Sequence, residues 1–206
     1  MLELFISAFV TLFVVIDPPG CAPIFASLTN GAPPQARRTM AIRSILVATG
    51  ILIFFALLGE DLLGAMGISL DAFRIAGGIM LFMIATDMVF EKRTERRSSR
   101  AEDVKAQPGH DDVSVFPMAI PMIAGPGSIA SVMLLTAKAR GLEETAVVLG
   151  ALAVVLLLTA AALLAAGPLM RLLGYKMEAM ITRLLGVVLA ALAAQYVIDG
   201  AKAAFA

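Results

Sequence analysis

Long apolar segments separated by short polar ones dominate the pattern of hydrophobic and polar positions along the 206-residue chain. A helix needs about 20 apolar residues to cross the hydrocarbon core of a bilayer. Six stretches reach or approach that length and are predicted to be transmembrane helices: 4–29, 40–59, 71–90, 113–137, 146–167 and 180–198. The fifth stretch is the clearest of them, because it runs for 22 residues without a charged residue, whereas AGPG interrupts the equally uncharged fourth stretch.

The composition agrees with this pattern and narrows the class of protein. Hydrophobic residues make up 60% of the chain and charged residues 16%, which is more apolar surface than a soluble protein of this length buries. We therefore predict an all-α polytopic membrane protein that contacts a lipid bilayer. The 16 Lys and Arg residues balance the 16 Asp and Glu residues, so no basic field attracts nucleic acid.

One hydrophilic segment, residues 91–112, divides the chain into two halves. It mixes charges of both signs with Ser, Pro and Gly, which is typical of a solvated linker. The halves, residues 1–90 and 113–206, each contain three predicted helices. The positive-inside rule favours the orientation that leaves this linker and most Lys and Arg residues in the cytoplasm. Both termini are therefore predicted to lie on the periplasmic side of a multi-pass protein.

The two halves also resemble each other in sequence. Residues 16–21, IDPPGC, align with residues 123–128, IAGPGS, and the second predicted helix then aligns with the fifth. Residues 73–78, FRIAGG, align with residues 182–187, TRLLGV, at nearly the same offset. Because each half crosses the membrane three times, the second half enters from the opposite side. The sequence thus predicts a 3+3 inverted repeat, an arrangement found in many secondary transporters and some channels.

Proline and glycine interrupt the first and fourth predicted helices at equivalent positions. Proline lacks an amide donor and glycine weakens a helix, so both helices are predicted to be broken into half-helices. The half-helices that begin near Gly20 and Gly127 would turn N–H groups and positive dipole ends toward the membrane interior, which suits a carboxylate or another anion. The alternative is a pair of proline kinks that serve helix packing alone. The predicted substrate-binding residues are Asp17, Pro19, Gly20, Cys21, Gly125, Gly127 and Ser128.

Asp17 is the most informative single residue, because it is the only charged residue between Leu4 and Ala36. Ionisable groups at membrane depth are costly and usually functional. One interpretation makes Asp17 a proton carrier, or a ligand of a cation or a substrate ammonium group. The other makes it the N-cap of a helix that starts at Pro18. The sequence leaves both interpretations open, and the aligned position in the second half is Ala124.

Four further polar residues in the predicted helices are candidates for ion coupling or for helix contacts: Asp87, Gln195, Arg74 and Arg183. Gln195 is expected to form an interhelical hydrogen bond. Catalytic motifs such as HExxH, GxSxG and a P-loop are missing from the sequence, so no catalytic residue and no enzymatic activity are predicted. A single cysteine, Cys21, excludes an intrachain disulfide and a thiolate metal cluster, and we expect neither a metal nor a cofactor.

Three motifs carry a resemblance to a known family: IDPPGCAPIF near the start, FRIAGGIMLF in the third predicted helix, and FPMAIPMIAGPGSIAS after the linker. Together with the six-helix pattern, they resemble the MarC family (UPF0056) of bacterial inner-membrane proteins, which is related to the LysE-type exporters. The resemblance covers essentially the whole chain. It implies a transporter of the bacterial inner membrane, with small neutral amino acids as the better-supported substrate class among relatives.

The sequence-based hypothesis is a secondary transporter of small solutes that is coupled to H⁺ or Na⁺. In the expected pose, a zwitterionic substrate places its carboxylate at the amides of Gly20, Cys21, Gly127 and Ser128, and its ammonium group near Asp17. A passive channel and a noncatalytic membrane scaffold remain as alternative functions. A homo-oligomeric assembly is compatible with each of these functions.

Overall fold

The computed structural model describes residues 1–93, 96, 99 and 112–205, and only the backbone of residues 170–176 and 178. All regular secondary structure within these residues is helical. The helices are α1 (Leu2–Ile16), α2 (Pro18–Leu28), α3 (Pro34–Ala65), α4 (Leu70–Val89), α5 (Ser114–Ile123), α6 (Pro126–Ala137), α7 (Gly141–Leu164) and α8 (Ala166–Ala204). The predicted linker, residues 91–112, lies mostly outside the described residues.

Five spans of the described chain are long and apolar enough to cross a membrane: residues 2–28, α3, α4, α7 and residues 179–204 of α8. A sixth span results if α5 and α6, whose axes bend by 53°, count as one. This agrees with the predicted all-α membrane protein. Only 28% of the most apolar 18-residue stretch of α3 is buried inside the protein, and the most apolar stretches of α4 and α8 are buried to the same extent. The apolar side chains that remain exposed need an apolar surrounding, which a bilayer supplies.

The first span changes helix at Asp17. Helix α1 ends at Ile16 and α2 begins at Pro18, and Asp17 between them has left-handed backbone angles, with φ 60° and ψ 66°. A residue before proline is disfavoured in the right-handed helical region, because the proline ring clashes with its backbone. Pro18 and Pro19 also lack the amide donors that a continuous helix would use. The interruption therefore follows from local covalent structure.

The fourth span is interrupted at three X-Pro positions. Helix α5 is irregular: Phe116 and Ile120 have extended backbone, with φ near −125° and ψ near 125°, and each precedes a proline. Gly125 is extended as well, with φ −86° and ψ 172°, and it precedes Pro126, the first residue of α6. The same steric rule that applies at Asp17 applies at Gly125, whereas the peptide bonds that join Phe116 and Ile120 to their prolines are cis.

Helix packing follows a reciprocal pattern. Helices α1 and α2 pack on α7, while α5 and α6 pack on α3. Helix α4 lies antiparallel along α8, and glycines bring the two backbones together. A methyl group added at Gly78 would lie 2.9 Å from the carbonyl oxygen of Ala193, and one added at Gly186 would lie 3.1 Å from that of Ala85. Small residues at helix crossings are how membrane helices gain close van der Waals contact.

The buried side chains form two clusters that meet at α1. The larger cluster includes Leu12 and Ile16 of α1 together with residues of α2, α3, α5 and α7. The smaller cluster joins Val14 and Val15 of α1 to side chains of α4, α6 and α8. The carboxyl end of α1 therefore lies between both clusters, and the interruption at Asp17 falls in the interior of the bundle.

Candidate functional site

Asp17 caps the amino terminus of α2. Its Oδ1 accepts a hydrogen bond from the amide of Gly20 at 3.1 Å, and the residue is 1% exposed. Pro18 and Pro19 have no amide hydrogen, while the Asp17 amide donates to Phe13 of α1. Every backbone donor at the start of α2 thus has an acceptor. The capping interpretation of Asp17 describes this geometry, and the Gly20 amide, predicted to be open to substrate, is already occupied.

Position 20 requires a glycine for this cap. A Cβ atom on Gly20 would lie 2.2 Å from Oδ2 of Asp17 and 2.8 Å from its Cγ. A side chain at position 20 would therefore force the Asp17 carboxylate to shift from its present position at the Gly20 amide. The pair Asp17 and Gly20 is therefore one structural unit.

Arg93 occupies the other end of the same interruption. Its Nη2 donates to the carbonyl oxygen of Val15 at 2.6 Å, and its Nη1 approaches the sulfur of Met88 at 2.9 Å. The last carbonyl groups of a helix lack partners within it, and they attract cations because they carry the negative end of the helix dipole. Arg93 thus covers the negative end of α1, as Asp17 covers the positive end of α2.

The second interruption lacks such a cap. Gly125 precedes α6, no side chain caps this helix, and the first helical bond joins the Ile129 amide to the Gly125 carbonyl at 3.0 Å. The amides of Gly127 and Ser128 therefore have no acceptor within α6. Both residues are buried inside the protein. The start of α6 presents positive partial charge with no carboxylate from its own break.

A cavity of about 190 Å³ opens at this helix start. It is lined by residues of α1, α4, α5, the start of α6 and the segment after α4: Val15, Ile84, Asp87, Arg93, Arg96, Pro117, Pro121, Met122, Gly125, Pro126, Gly127 and Ser128. Water occupies about 30 Å³ per molecule, so the volume holds roughly six waters or a small organic solute.

The charges in the cavity are arranged for a small polar solute. Asp87, whose side chain is 20% exposed, forms an ion pair with Arg96, and Arg93 lies beside them. The two guanidinium groups and the start of α6 favour an anionic group, while the Asp87 carboxylate favours a cationic one. A zwitterion would satisfy both.

Comparison with known proteins identifies the family. The chain matches the MarC family of integral membrane proteins over residues 2–205. This chain belongs to the MarC family. The UPF0056 membrane protein MJ1677 of Methanocaldococcus jannaschii is 36% identical over 203 residues, which is 98% of each chain. The UPF0056 membrane protein YvbG of Bacillus subtilis is 34% identical over 205 residues, covering 100% of this chain and 97% of the relative. The UPF0056 inner membrane protein YhgN of Escherichia coli is 33% identical over 201 residues, covering 96% and 95%. No solved structure matches the chain.

The cavity of this MarC family member contains four of the residues singled out from the sequence: Asp87, Gly125, Gly127 and Ser128. Asp17, Pro19, Gly20 and Cys21 do not line it. They lie at the neighbouring interruption, where the buried thiol of Cys21 is 3.5 Å from the carbonyl oxygen of Ile16. The two interruptions thus differ: the first is capped and lies outside the cavity lining, and the second opens to the cavity.

Three other candidates lie away from the cavity. Arg74 forms an ion pair with Asp71 at 3.2 Å within α4. Arg183 of α8 pairs with Glu91 at 2.5 Å, which makes it a helix contact. Gln195 donates to Asp199 at 2.6 Å within α8, so the expected interhelical bond is replaced by one four residues along the same helix.

Sequence reasoning missed Arg93 and Arg96, because both were counted as part of the solvated linker. The available signal was their position directly after an apolar helix, where long basic side chains fold back toward the membrane boundary. Among the described residues, no group of three His, Cys, Asp or Glu side chains is placed to hold a metal ion.

Proposed function

We propose that this MarC family member is a secondary transporter of small solutes, and that its substrate binds in the cavity at the start of α6. One observation carries the proposal: an uncapped helix start within an apolar span faces a cavity that also contains Asp87, Arg93 and Arg96. Polar backbone at membrane depth is tolerated where protein or a water-filled path covers it. Charged side chains in such segments mark pathways for ions or substrates.

The reciprocal helix packing supports an inverted repeat. A two-fold axis in the membrane plane exchanges the first span with the fourth, the second with the fifth and the third with the sixth. Packing of α1 and α2 on α7 then corresponds to packing of α5 and α6 on α3, and the pairing of α4 with α8 corresponds to itself. A methyl group on Gly78 would meet Val197, and one on Gly186 would meet Met88. Met88 and Val197 are equivalent positions in the two halves, and the equivalent of Gly186 is Gly77, the neighbour of Gly78. Many secondary transporters have this architecture.

For the substrate, we propose a small neutral amino acid. Its carboxylate would take the amides of Gly127 and Ser128 and the neighbouring guanidinium groups, and its ammonium group would take the carboxylate of Asp87 in place of Arg96. This pose differs from the sequence-based one at the ammonium group, since Asp17 is bonded to Gly20 and does not line the cavity.

We also propose that transport is coupled to H⁺ or Na⁺ and that both termini of the protein are periplasmic. In that orientation Arg93 and Arg96 follow the cytoplasmic end of α4, so the cavity faces the cytoplasm. Asp87 is the carboxylate that would couple substrate binding to the ion, because it lies in the cavity at the helix interruption and can exchange Arg96 for another partner.

The test is uptake of radiolabelled alanine, serine and glycine into proteoliposomes under imposed H⁺ and Na⁺ gradients. Asp87→Asn is expected to reduce saturable uptake about tenfold or more, which corresponds to about 1.4 kcal/mol of lost substrate interaction. Asp71→Asn is the matched control, because Asp71 is also an ion-paired aspartate of α4 but lies outside the cavity. Its uptake should stay within about twofold of the native protein.

Equal loss in both variants, or no loss in Asp87→Asn, would contradict the proposed site. Uptake that neither saturates nor responds to a gradient would instead indicate a passive channel. A complete lack of uptake, together with no ligand-dependent thermal stabilisation, would favour the scaffold alternative.

A further inference from the structure

A second cavity, of about 230 Å³, lies where three membrane spans end. Its walls come from α2, the start of α3 and the junction of α7 with α8: Phe25, Pro34, Arg37, Arg38, Leu163, Leu164, Gly167 and Pro168. It shares no residue with the cavity at the start of α6. Because α2 ends at Leu28, α3 begins at Pro34 and α7 ends at Leu164, this cavity is at a membrane–water boundary.

Two arginines give the cavity a positive charge that the described part of the chain does not neutralise. No hydrogen bond or ion pair joins the guanidinium group of Arg37 or Arg38 to another described residue. By contrast, four of the other described arginines have carboxylate partners: Arg43, Arg74, Arg96 and Arg183. Arg37 is half-buried and Arg38 is exposed. An unpaired cation that is partly removed from water, as Arg37 is, gains most from an added anion.

Arg37 lines the cavity and lies close to the α7–α8 junction. It is half-buried, and a Cβ atom on Gly167 would lie 3.9 Å from its Nη2. The guanidinium group thus reaches from α3 across to the α7–α8 junction. Helix α3 also begins here without a side-chain cap, so its positive dipole end adds to the charge of both arginines.

The rest of the lining is apolar and leads to the lipid-facing surface. Phe25 and Leu163 are each 1% exposed, whereas Leu164 is 51% exposed on the outer surface of the bundle. A ligand in this cavity therefore meets a cationic end and an apolar wall. This combination matches an amphiphile with an anionic head better than a free anion.

We propose that this cavity binds the phosphate group of an anionic phospholipid from the adjacent leaflet. The guanidinium groups of Arg37 and Arg38 hold the phosphate oxygens, since arginine matches phosphate geometry with paired N–H donors. The acyl chains leave along Leu164 and Pro168. Basic pockets between membrane helices at the cytoplasmic side bind lipid head groups by the same chemistry. The inference is independent of transport.

The test measures the melting temperature of the detergent-solubilised full chain during titration with short-chain phosphatidylglycerol, short-chain phosphatidylcholine or inorganic phosphate. Phosphatidylglycerol should stabilise the native protein most, since phosphatidylcholine brings its own cation. Each arginine near an anionic head group contributes about fivefold in affinity, so Arg37→Gln with Arg38→Gln should weaken phosphatidylglycerol binding on the order of 30-fold. Native mass spectrometry of retained lipid gives a second readout.

Arg140→Gln is the matched control, because the Arg140 side chain is exposed and lies at the start of α7, the end opposite the α7–α8 junction. It should bind phosphatidylglycerol as the native protein does. If the double variant does not fold, each single variant should still show its fivefold loss. Equal binding of both lipids, or an unchanged double variant, would overturn the proposal. Stabilisation by inorganic phosphate with no gain from phosphatidylglycerol would overturn the lipid assignment and indicate a free-phosphate site.

Discussion

Replacing Gly20 with alanine tests whether Asp17 serves as a helix cap. The new Cβ atom would lie 2.2 Å from Oδ2 of Asp17, so the carboxylate must leave the Gly20 amide. A buried amide without an acceptor costs about 1–3 kcal/mol, while alanine recovers about 0.5–1 kcal/mol as the better helix former. The expected net loss in the free energy of unfolding is about 1–2 kcal/mol.

The assay is equilibrium unfolding in mixed micelles, with Gly50→Ala as the matched control. Gly50 is a helical glycine of α3, and a methyl group there meets no atom within 4 Å. Gly50→Ala should therefore be neutral or slightly stabilising. If both alanine variants change stability equally, the proposed cap does not exist.

A double-mutant cycle sharpens the same prediction. Asp17→Ala and Gly20→Ala remove the same hydrogen bond, so their combined loss should fall short of the sum by about 1 kcal/mol. Full additivity would refute the reasoning. Asp17→Asn separates the two roles that the sequence left open, because asparagine also caps helices but cannot take up and release a proton. Uptake that persists in Asp17→Asn, with stability retained, supports the cap; uptake that stops while the protein stays folded supports proton transfer.

Three further outcomes follow from the packing. Gly78→Ala should lower the free energy of unfolding by about 1–3 kcal/mol, because the new methyl group would meet the backbone of α8. The control, Gly64→Ala, should not lower it, because nothing lies within 4 Å of a methyl group there. Equal losses in both variants would refute the close contact. Arg93→Gln should lower the free energy of unfolding by about 0.3–2 kcal/mol, since it removes the cation at the end of α1. High salt should diminish this loss, and a loss that salt does not change would count against an interaction of Arg93 with the helix dipole. Gly127→Ala should lower substrate uptake with little change in melting temperature. The nearest neighbour of the new methyl group is the flexible end of Ile84 at 2.5 Å, beside the cavity, and Val15 at 3.3 Å has to shift only by a few tenths of an ångström. Unchanged uptake would contradict the site.

Much of the fold was predictable because it depends on local properties. Apolar segments of membrane-spanning length are visible in the sequence, and the six predicted stretches coincide with five or six spans in the described chain. The end of α1 at Ile16 and the start of α6 at Pro126 also follow from Asp17 and Gly125, the residues that precede prolines. Hydropathy and proline chemistry act over a few residues, so no knowledge of neighbouring helices is needed.

The candidate site could be predicted only in part. Gly125, Gly127 and Ser128 were identified because their Gly-Pro-Gly pattern interrupts a helix, and Asp87 was noted as a charge near a helix end. The sequence could not show that the Gly20 amide is occupied, because Asp17 reaches it only through a particular side-chain rotamer and backbone angle. The role of Arg93 was also hidden, since its partner Val15 is 78 positions away.

The sequence by itself determined that the chain lies in a membrane, where its helices are interrupted, and which residues carry charge near those interruptions. The tertiary structure alone decided that one interruption is closed by Asp17 and Arg93 while the other opens into a cavity. The physical reason is that a helix end needs hydrogen-bond partners and opposite charge from wherever the fold brings them. At the end of α1 that partner comes from a distant segment, and at the start of α6 no side chain provides it.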